Sequence, residues 1–491
     1  MRQYHHDPDG VRLPIKIDNA TNGEFEPISL PKRCIEANQI ALKEADSAAR
    51  TLGQDRRTFL VGACGAASTL LSINAVNAAA GKTGSFFEVP EDARFEIASA
   101  EDAVGGDEFI FDVHGHFINP HGAWRNDVPD GRQPFFGMPK VQACKTAEME
   151  GLDYLECLSG DQFVKDVFVD SDTDMMVLTF VPSGPDSEPL KIEEAEVTKQ
   201  LLNSEDSGQR LLVHGRVNPN QDGDLARMDE LAEKWKVSAW KTYTQWGPDG
   251  KGFWLHDEDS GIPFLEKARS LGINNIAVHK GIPFGPQSYE HSRSDDIGIV
   301  AKMYPDLNFL VYHSGFVPGK AETAFEPGAG KDGIDALVQS LLDNDVSTNT
   351  NVYADLGSTW RMLMQDPDSA AHGMGKLLRY VGEDNVIWGT DSIWYGSPQD
   401  QIQAFRAFQI SEALREKHGY PEITPALRTR VFGLNATKPY GIDATAVSKA
   451  QAADKLSSRK LAAKESSDPH FLTFGPKNRR EFLAFRRADA D

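Results

Sequence analysis

The sequence predicts an α/β fold, a (β/α)8 barrel carrying N- and C-terminal extensions. Three observations predict it. Short apolar runs rich in β-branched residues recur eight times, at 108–117, 175–182, 210–219, 238–245, 275–281, 308–315, 352–359 and 386–392. Segments with helical patterning lie between most of them, at 222–236, 262–272, 293–304, 333–343 and 373–382. Continuous apolar runs suit parallel strands covered on both faces, and eight such units fit one barrel better than an open sheet. Finally, the polar residues come late in the runs: His114 and His116, Arg216, Lys241, His279, His313, Asp355 and Asp391. Barrel enzymes carry their chemistry at those C-terminal strand ends.

The elements follow in order. Residues 1–80 contain nine basic and nine acidic residues, so the net charge of −22 belongs to the rest of the chain. Within them, Asp55-Arg56-Arg57-Thr58-Phe59-Leu60 precedes a run from Thr58 to Gly81 without any charge, ending near Ala78-Ala79-Ala80. Paired arginines, a mildly apolar Ala- and Gly-rich run and small residues at its end resemble a twin-arginine signal. The run is too polar for a comfortable membrane span. The expectation is export to the periplasm by the twin-arginine machinery, with cleavage near Ala80 removing Cys34 and Cys64 and leaving Cys144 and Cys157. The alternative is an amphipathic N-terminal helix in a cytoplasmic protein. Residues 81–107 read as a linker, 108–443 as the barrel, and 444–491 as an extension rich in Lys, Ala, Ser and Asp. That extension is either a helix and arm against a partner subunit of a homo-oligomer or a solvated tail.

Composition narrows the partners. An isoelectric point near 5.0 argues against nucleic acid or an anionic membrane surface as main partner. The four cysteines form no CxxC pair and no zinc-knuckle spacing.

Five strand-end residues point to a metal. In His114-Gly115-His116 the two imidazoles share one strand face, being two residues apart. His279 ends the fifth run, His313 the sixth, and Asp391 the eighth. Three neutral imidazoles and a carboxylate match the donors that zinc, iron(II) or manganese(II) accept, with a place left for water. The remaining histidine is available to orient that water or polarise a substrate oxygen.

The segments FDVHGHF, AVHKG, VYHSG and IWGTDS, in that order on strands one, five, six and eight, resemble the amidohydrolase superfamily. The nearest resemblance is to its amidohydrolase-2 branch, which includes aminocarboxymuconate-semialdehyde decarboxylase and related hydrolases. Val431-Phe432-Gly433-Leu434-Asn435-Ala436 is similar to the branch's final helix, and the resemblance covers roughly 108–443. It implies one divalent metal, zinc first and manganese or iron next, bound by His114, His116, His279 and Asp391. It also implies that His313 hydrogen-bonds the activated water, with Asp391 doubling as general base. Lys241 in Ala239-Trp240-Lys241-Thr242-Tyr243 stands where binuclear members of the superfamily bridge two metals with a carbamylated lysine; in this branch such lysines more often serve substrate binding or charge pairing.

The substrate is expected to be a small molecule, aromatic or carboxylate-bearing. Phe117, Trp124, Tyr243, Trp246, Trp254, Trp360 and Trp394 follow or end strands and are candidate walls of a flat pocket, while Arg216 and Lys241 are candidate clamps for a carboxylate. The long 118–174 connection is a candidate lid. The leading expectation is a metal-dependent hydrolase of an ester, lactone or amide. The alternative is a metal-dependent non-oxidative decarboxylase of an aromatic or unsaturated acid. A third reading, from another class, is a periplasmic binding protein or pseudoenzyme on a barrel scaffold.

Overall fold

The computed structural model describes residues 7–125, 154–184, 187–203, 208–283, 288–328, 332–452, 454–465 and 468–486. Much of the connection proposed as a lid, together with Cys144, lies outside the described residues. Among the described residues eleven strands are formed: β1 Ser85–Phe87, β2 Phe111–Gly115, β3 Met175–Leu178, β4 Leu211–Val213, β5 Gly215–Arg216, β6 Trp240–Tyr243, β7 Asn275–His279, β8 Asn308–Tyr312, β9 Val352–Asp355, β10 Val386–Ile387 and β11 Phe408–Ile410. Every predicted apolar run supplies one, the third run supplying both β4 and β5.

The pairing is parallel throughout the central sheets. One sheet runs β10-β9-β8-β7-β6-β5 and the other β2-β3-β4. Strands β4 and β5 are halves of one run parted at His214, whose N–H donates to Leu178 O at 3.0 Å. The two sheets together place the eight runs side by side, but no closed barrel ladder forms. The first and last runs are joined more loosely: Val113 N donates to Trp388 O (2.9 Å), Asp391 N to His114 O (2.9 Å) and His116 N to Ser392 O (2.6 Å). These three bonds lie at the strand ends that carry the candidate ligands, so they fix the eighth run against the first where it matters.

Helices cover the outer faces. Asp224–Glu233, Gly261–Ser270, Ile297–Met303, Ile334–Asp343 and Pro367–Lys376 fall within or beside the helical stretches expected. Phe111, Val113, Met175, Val177, Ala277, Leu310, Tyr312, Tyr353 and Ile387 form an apolar plug separate from the larger core beneath the helices. A register shift between Asp112 and Gly115 breaks the alternation of β2. Val113 therefore joins the plug, yet the ring of His114 also reaches Tyr312, 4.0 Å away between centroids.

The extensions pack on this body. Helix Ala63–Ala79, the core of the uncharged run, is buried on most of its surface and packs with helices Lys32–Thr51 and Ile97–Val104. Among the described residues no helix is long and apolar enough to cross a membrane. Arg57 donates to Asp468 (2.6 Å) and Pro469 O (2.8 Å), and Arg56 to Asp46 (3.2 Å). Residues 81–107 are more than a linker, since β1 pairs antiparallel with β11. The C-terminal extension lies against its own barrel: Arg210 and Asp454 form a buried pair at 2.8 Å, and Phe474 N donates to Trp394 O at 2.8 Å. A buried ion pair and a backbone bond to the loop after β10 hold it there.

Candidate metal centre

Each site residue leaves the C-terminal end of a parallel strand, except two. His114 sits in β2 with His116 just beyond it, His279 ends β7, His313 follows β8, Asp355 ends β9, and Asp391 lies four residues past β10. The other two, Asn22 and Glu24, come from the N-terminal extension.

His114, His116 and Asp391 converge. The Nε2 atoms of both histidines stand 3.4 Å from Asp391 Oδ1. Donors each about 2.1 Å from a tetrahedral ion are separated by roughly 3.4 Å, so this trio is spaced for a shared ion rather than for direct hydrogen bonding. A second group forms beside it. Glu24 Oε1 is 3.6 Å from His279 Nδ1, and Glu24 Oε2 is 3.7 Å from His313 Nε2. His279 thus groups most closely with His313 and Glu24, not with the three residues it was expected to join. The groups abut, with ring centroids of His114 and His313 4.8 Å apart and those of His279 and His313 4.5 Å apart.

Surrounding groups orient these donors. His114 Nδ1 meets Asp355 Oδ2 at 2.8 Å, which leaves Nε2 for the site. The same Asp355 oxygen accepts from His313 N at 3.1 Å. His313 Nδ1 donates to Gly357 O at 2.7 Å, again freeing Nε2. Asp391 Oδ2 accepts from Ser358 Oγ (2.5 Å) and Asn22 Nδ2 (2.8 Å), leaving Oδ1 to face the imidazoles. Asp112 accepts from His114 N (2.9 Å), Thr390 N (3.1 Å) and Thr390 Oγ1, tying β2 to the Trp388-Gly389-Thr390-Asp391 segment. A Cβ on Gly389 would stand 1.9 Å from Asp355 Oδ1, so glycine is required there. His313, Ser314, Ser358 and Asp391 all have positive φ, between 53° and 64°. Such left-handed conformations cost non-glycine residues on the order of 1–3 kcal/mol each and cluster at functional sites.

Burial dominates the electrostatics. It pushes Asp391 and Asp355 up to about 7 and Asp112 up to about 8. It holds His114, His116, His214 and His279 well below the usual imidazole range, and His313 at about 3. The imidazoles are therefore neutral at pH 7, as metal ligands must be. This has a consequence for the metal-free protein. Five imidazoles stay neutral in the folded chain while the unfolded chain protonates them below about pH 6.5, so their contribution is present above that pH and lost as pH falls. The three raised carboxylates act in the opposite direction, holding protons that the unfolded chain has released above about pH 4. Below about pH 5.5 the unfolded imidazoles are fully protonated and the five outweigh the three. The denaturation midpoint of chelator-treated protein is expected to be lower at pH 4.5 than at pH 5.5; an equal or higher midpoint would mean that the imidazoles are protonated in the fold.

The remaining predicted residues divide. Lys241 is fully buried, its Nζ lies 3.6 Å from the Tyr312 ring centroid and 4.6 Å from that of Tyr243, and it has no hydrogen-bond partner among the described residues. Desolvation lowers its pKa to about 7, against the pull of Glu24, Asp355 and Asp391. Tyr243 stacks on His279 (4.9 Å) and donates to Phe180 O (2.9 Å). Trp394 lies 6.0 Å from His116 and hydrogen-bonds Asp391. Trp246 is half-buried at the loop after β6. Two expectations need correction. Arg216 is no free clamp, because it is buried in ion pairs with Glu188 (2.9 Å) and Asp224 (3.3 Å). Trp360 is no pocket wall, because it is wholly buried between Phe405 and Phe408, with Nε1 donating to Gln401 O. A small cleft does open beside His116, lined by Phe117, Phe180, Val181 and Leu190 and by the polar Ser183 and Arg216.

Comparison with known proteins gives three findings. Residues 206–442 match the sequence model of the family described as Amidohydrolase; this span holds His279, His313 and Asp391 but begins after His114 and His116. No curated protein matches. Solved structures with a similar fold include 5-carboxyvanillate decarboxylase from Sphingomonas paucimobilis, at 13% identity over 69% of this chain and 100% of that one, with a TM-score of 0.42. Another is 2,6-dihydroxybenzoate decarboxylase from Rhizobium, at 14% identity over 68% of this chain and 99% of that one, TM-score 0.40. A third is 5-carboxyvanillate decarboxylase from Novosphingobium aromaticivorans with bound manganese, at 13% identity over 68% and 97%, TM-score 0.42.

Proposed function

Since residues 206–442 match the amidohydrolase family model, we propose that the chain belongs to that family and is a metal-dependent hydrolase acting on an ester, lactone or amide of a small molecule. The observation that carries the reading is the convergence of His114 Nε2 and His116 Nε2 on Asp391 Oδ1 at ion-sharing distance. His114, His116 and Asp391 would hold a divalent ion, with His279 beside them on the side of Glu24 and His313; zinc stands first among candidates, manganese and iron next. When bound, such an ion polarises a substrate oxygen and brings the pKa of a coordinated water to near neutrality.

The chain's own residues supply the rest. Asp355 fixes His114 so that Nε2 faces the site, and Gly357 O does the same for His313. His313 Nε2, left as an acceptor because Nδ1 carries the proton, is placed to accept a hydrogen bond from the attacking water and so orient it. Asp391 is placed to take a proton on Oδ1, since Oδ2 is already held by Ser358 and Asn22. Burial of the donors excludes bulk water, which strengthens each of these interactions.

Non-oxidative decarboxylation of an aromatic acid is the alternative on the same residues. Arg216, paired with Glu188 and Asp224, is not a free clamp for a carboxylate, but the buried Lys241 remains a candidate for one, so the assay decides between the two reactions. Elemental analysis of the wild-type protein beside His114→Ala, followed by assay on a lactone and ester panel and on CO2 release from aromatic acids, tests both. One equivalent of metal, lost in the variant, with turnover of an ester or lactone is the expected result. Two equivalents would bring Lys241 in as a bridging ligand, and tight ligand binding without turnover would favour a binding protein. An exported location goes with this reading. Arg56-Arg57 with the uncharged run supports it, as does the disulfide at Cys157, which suits an oxidising compartment. Fractionation of expressing bacteria tests it.

A further inference from the structure

The N-terminal extension contributes to the centre itself. Residues 7–31 cross the barrel mouth as a strap without regular structure. It is held on both sides. Lys16 Nζ donates to Tyr395 O and Ser397 O at 2.6 Å each, and Arg361 donates to Asp18 at 2.6 Å. On the other side Thr21 N donates to Pro476 O (2.9 Å) and Asn19 Nδ2 to Lys477 O (2.6 Å). Just past these anchors Thr21-Asn22-Gly23-Glu24 turns towards the centre. Gly23 takes φ +89°, its N–H donates to Thr21 Oγ1 (3.1 Å), and Glu24 N donates to Asn22 Oδ1 (3.0 Å). Asn-Gly is suited to such a turn, because glycine accepts positive φ and the Asn side chain caps the backbone two residues on.

The turn delivers two side chains to fixed places. Asn22 Nδ2 bridges Asp391 Oδ2 (2.8 Å) and Glu24 Oε2 (2.5 Å). The Glu24 carboxylate then stands 3.6 Å from His279 Nδ1 and 3.7 Å from His313 Nε2. These separations are too long for hydrogen bonds and close to the roughly 3.4 Å between donors that share an ion. The carboxylate is largely withdrawn from solvent, with 15% of its side-chain surface exposed, and with His279 and His313 it forms a group whose donor atoms lie close enough to share an ion.

We propose that Glu24 is a donor to the divalent-ion site, which makes the strap part of the centre and requires the working enzyme to keep residues 7–31. The inference rests on the metal-dependent reading above. It also constrains export, since processing at Ala78-Ala79-Ala80 would discard both Asn22 and Glu24; the segment must be retained.

The test uses the full chain as wild type, Glu24→Gln and Glu24→Ala. Cobalt(II) affinity is measured by chelator competition, the visible spectrum of the cobalt form is recorded, and folding is followed by circular dichroism. Glu24→Gln keeps the volume and can still accept from Asn22, so it gives the answer even where Glu24→Ala fails to fold. The expected result is at least tenfold weaker cobalt binding and an altered spectrum in Glu24→Gln with an unchanged fold. Wild-type affinity and spectrum in Glu24→Gln would overturn the inference while leaving the metal-dependent reading standing. So would an isolated chain shown by intact mass to begin after Ala80 that still binds cobalt with full affinity. A wild-type protein that binds no cobalt or zinc would overturn both.

Discussion

Asp391→Asn is expected to lower kcat/KM by about three orders of magnitude or more, in the range general-base and metal-ligand losses produce, and to reduce bound metal in parallel. The reason is the division of labour between the two carboxylate oxygens. Oδ2 already accepts from Ser358 and Asn22, and Oδ1 alone faces His114 and His116. An amide in this position keeps the shape but loses the charge, and its NH2 group must point either at two hydrogen-bond donors or at the ion. Both orientations are unfavourable, and neither leaves a group able to take a proton. The positive φ of Asp391, +58°, is tolerated by asparagine, so the fold should survive and the loss should be chemical. Elemental analysis and circular dichroism of the variant separate the two. Full metal content with a thousandfold loss of rate would mean that the residue acts as base without being a ligand; full rate would remove it from the centre altogether.

How much of this was legible in the sequence differs from residue to residue. The strand-end histidines and Asp391 were legible because parallel strands bury both faces, so a polar residue can appear late in a run only where the strand emerges at the mouth. The same signal misled at Arg216 and Trp360. It reports that a residue nears a strand end but not who meets it there, and the partners Glu188, Phe405 and Phe408 come from a loop, a helix and the outlying strand β11, none with a fixed register to the run. Asp355 was visible as a strand-end residue, but its contact with His114 depends on how the seventh run sits against the first, across the body. Glu24 and Asn22 were not legible at all. They precede the barrel by some distance in a segment without period, and Asn-Gly signals a turn without saying what the turn enters. The uncharged run after Arg57 was read for its composition, which is that of a signal; the structure shows the same small residues packing closely between helices. Small uncharged side chains suit both situations.

Asp355→Asn is the second substitution with a large expected effect, and it acts without touching the ion. Asp355 Oδ2 accepts from His114 Nδ1 and from His313 N, so one atom sets the orientation of a ligand on β2 and of the turn after β8. A carboxylate there requires the Nδ1–H form of His114, which presents a lone pair at Nε2. Asparagine with its oxygen in the Oδ2 place can accept from both donors but loses the charge that favours the Nδ1–H form, and where its NH2 group meets His114 instead the imidazole must reverse its tautomer, placing the proton on Nε2. Partners of this kind typically alter metal affinity by 10- to 100-fold. The expected outcome is therefore a metal Kd raised by about one to two orders of magnitude, with rate restored in part by excess metal, a rescue that Asp391→Asn should not show. Gly389→Ala supplies a steric counterpart, since its methyl would stand 1.9 Å from Asp355 Oδ1 and displace the carboxylate without removing it. If Asp355→Asn binds metal as tightly as the wild type, then the hydrogen bond to His114 does not select the tautomer, and the arrangement of the first and seventh strands serves packing alone.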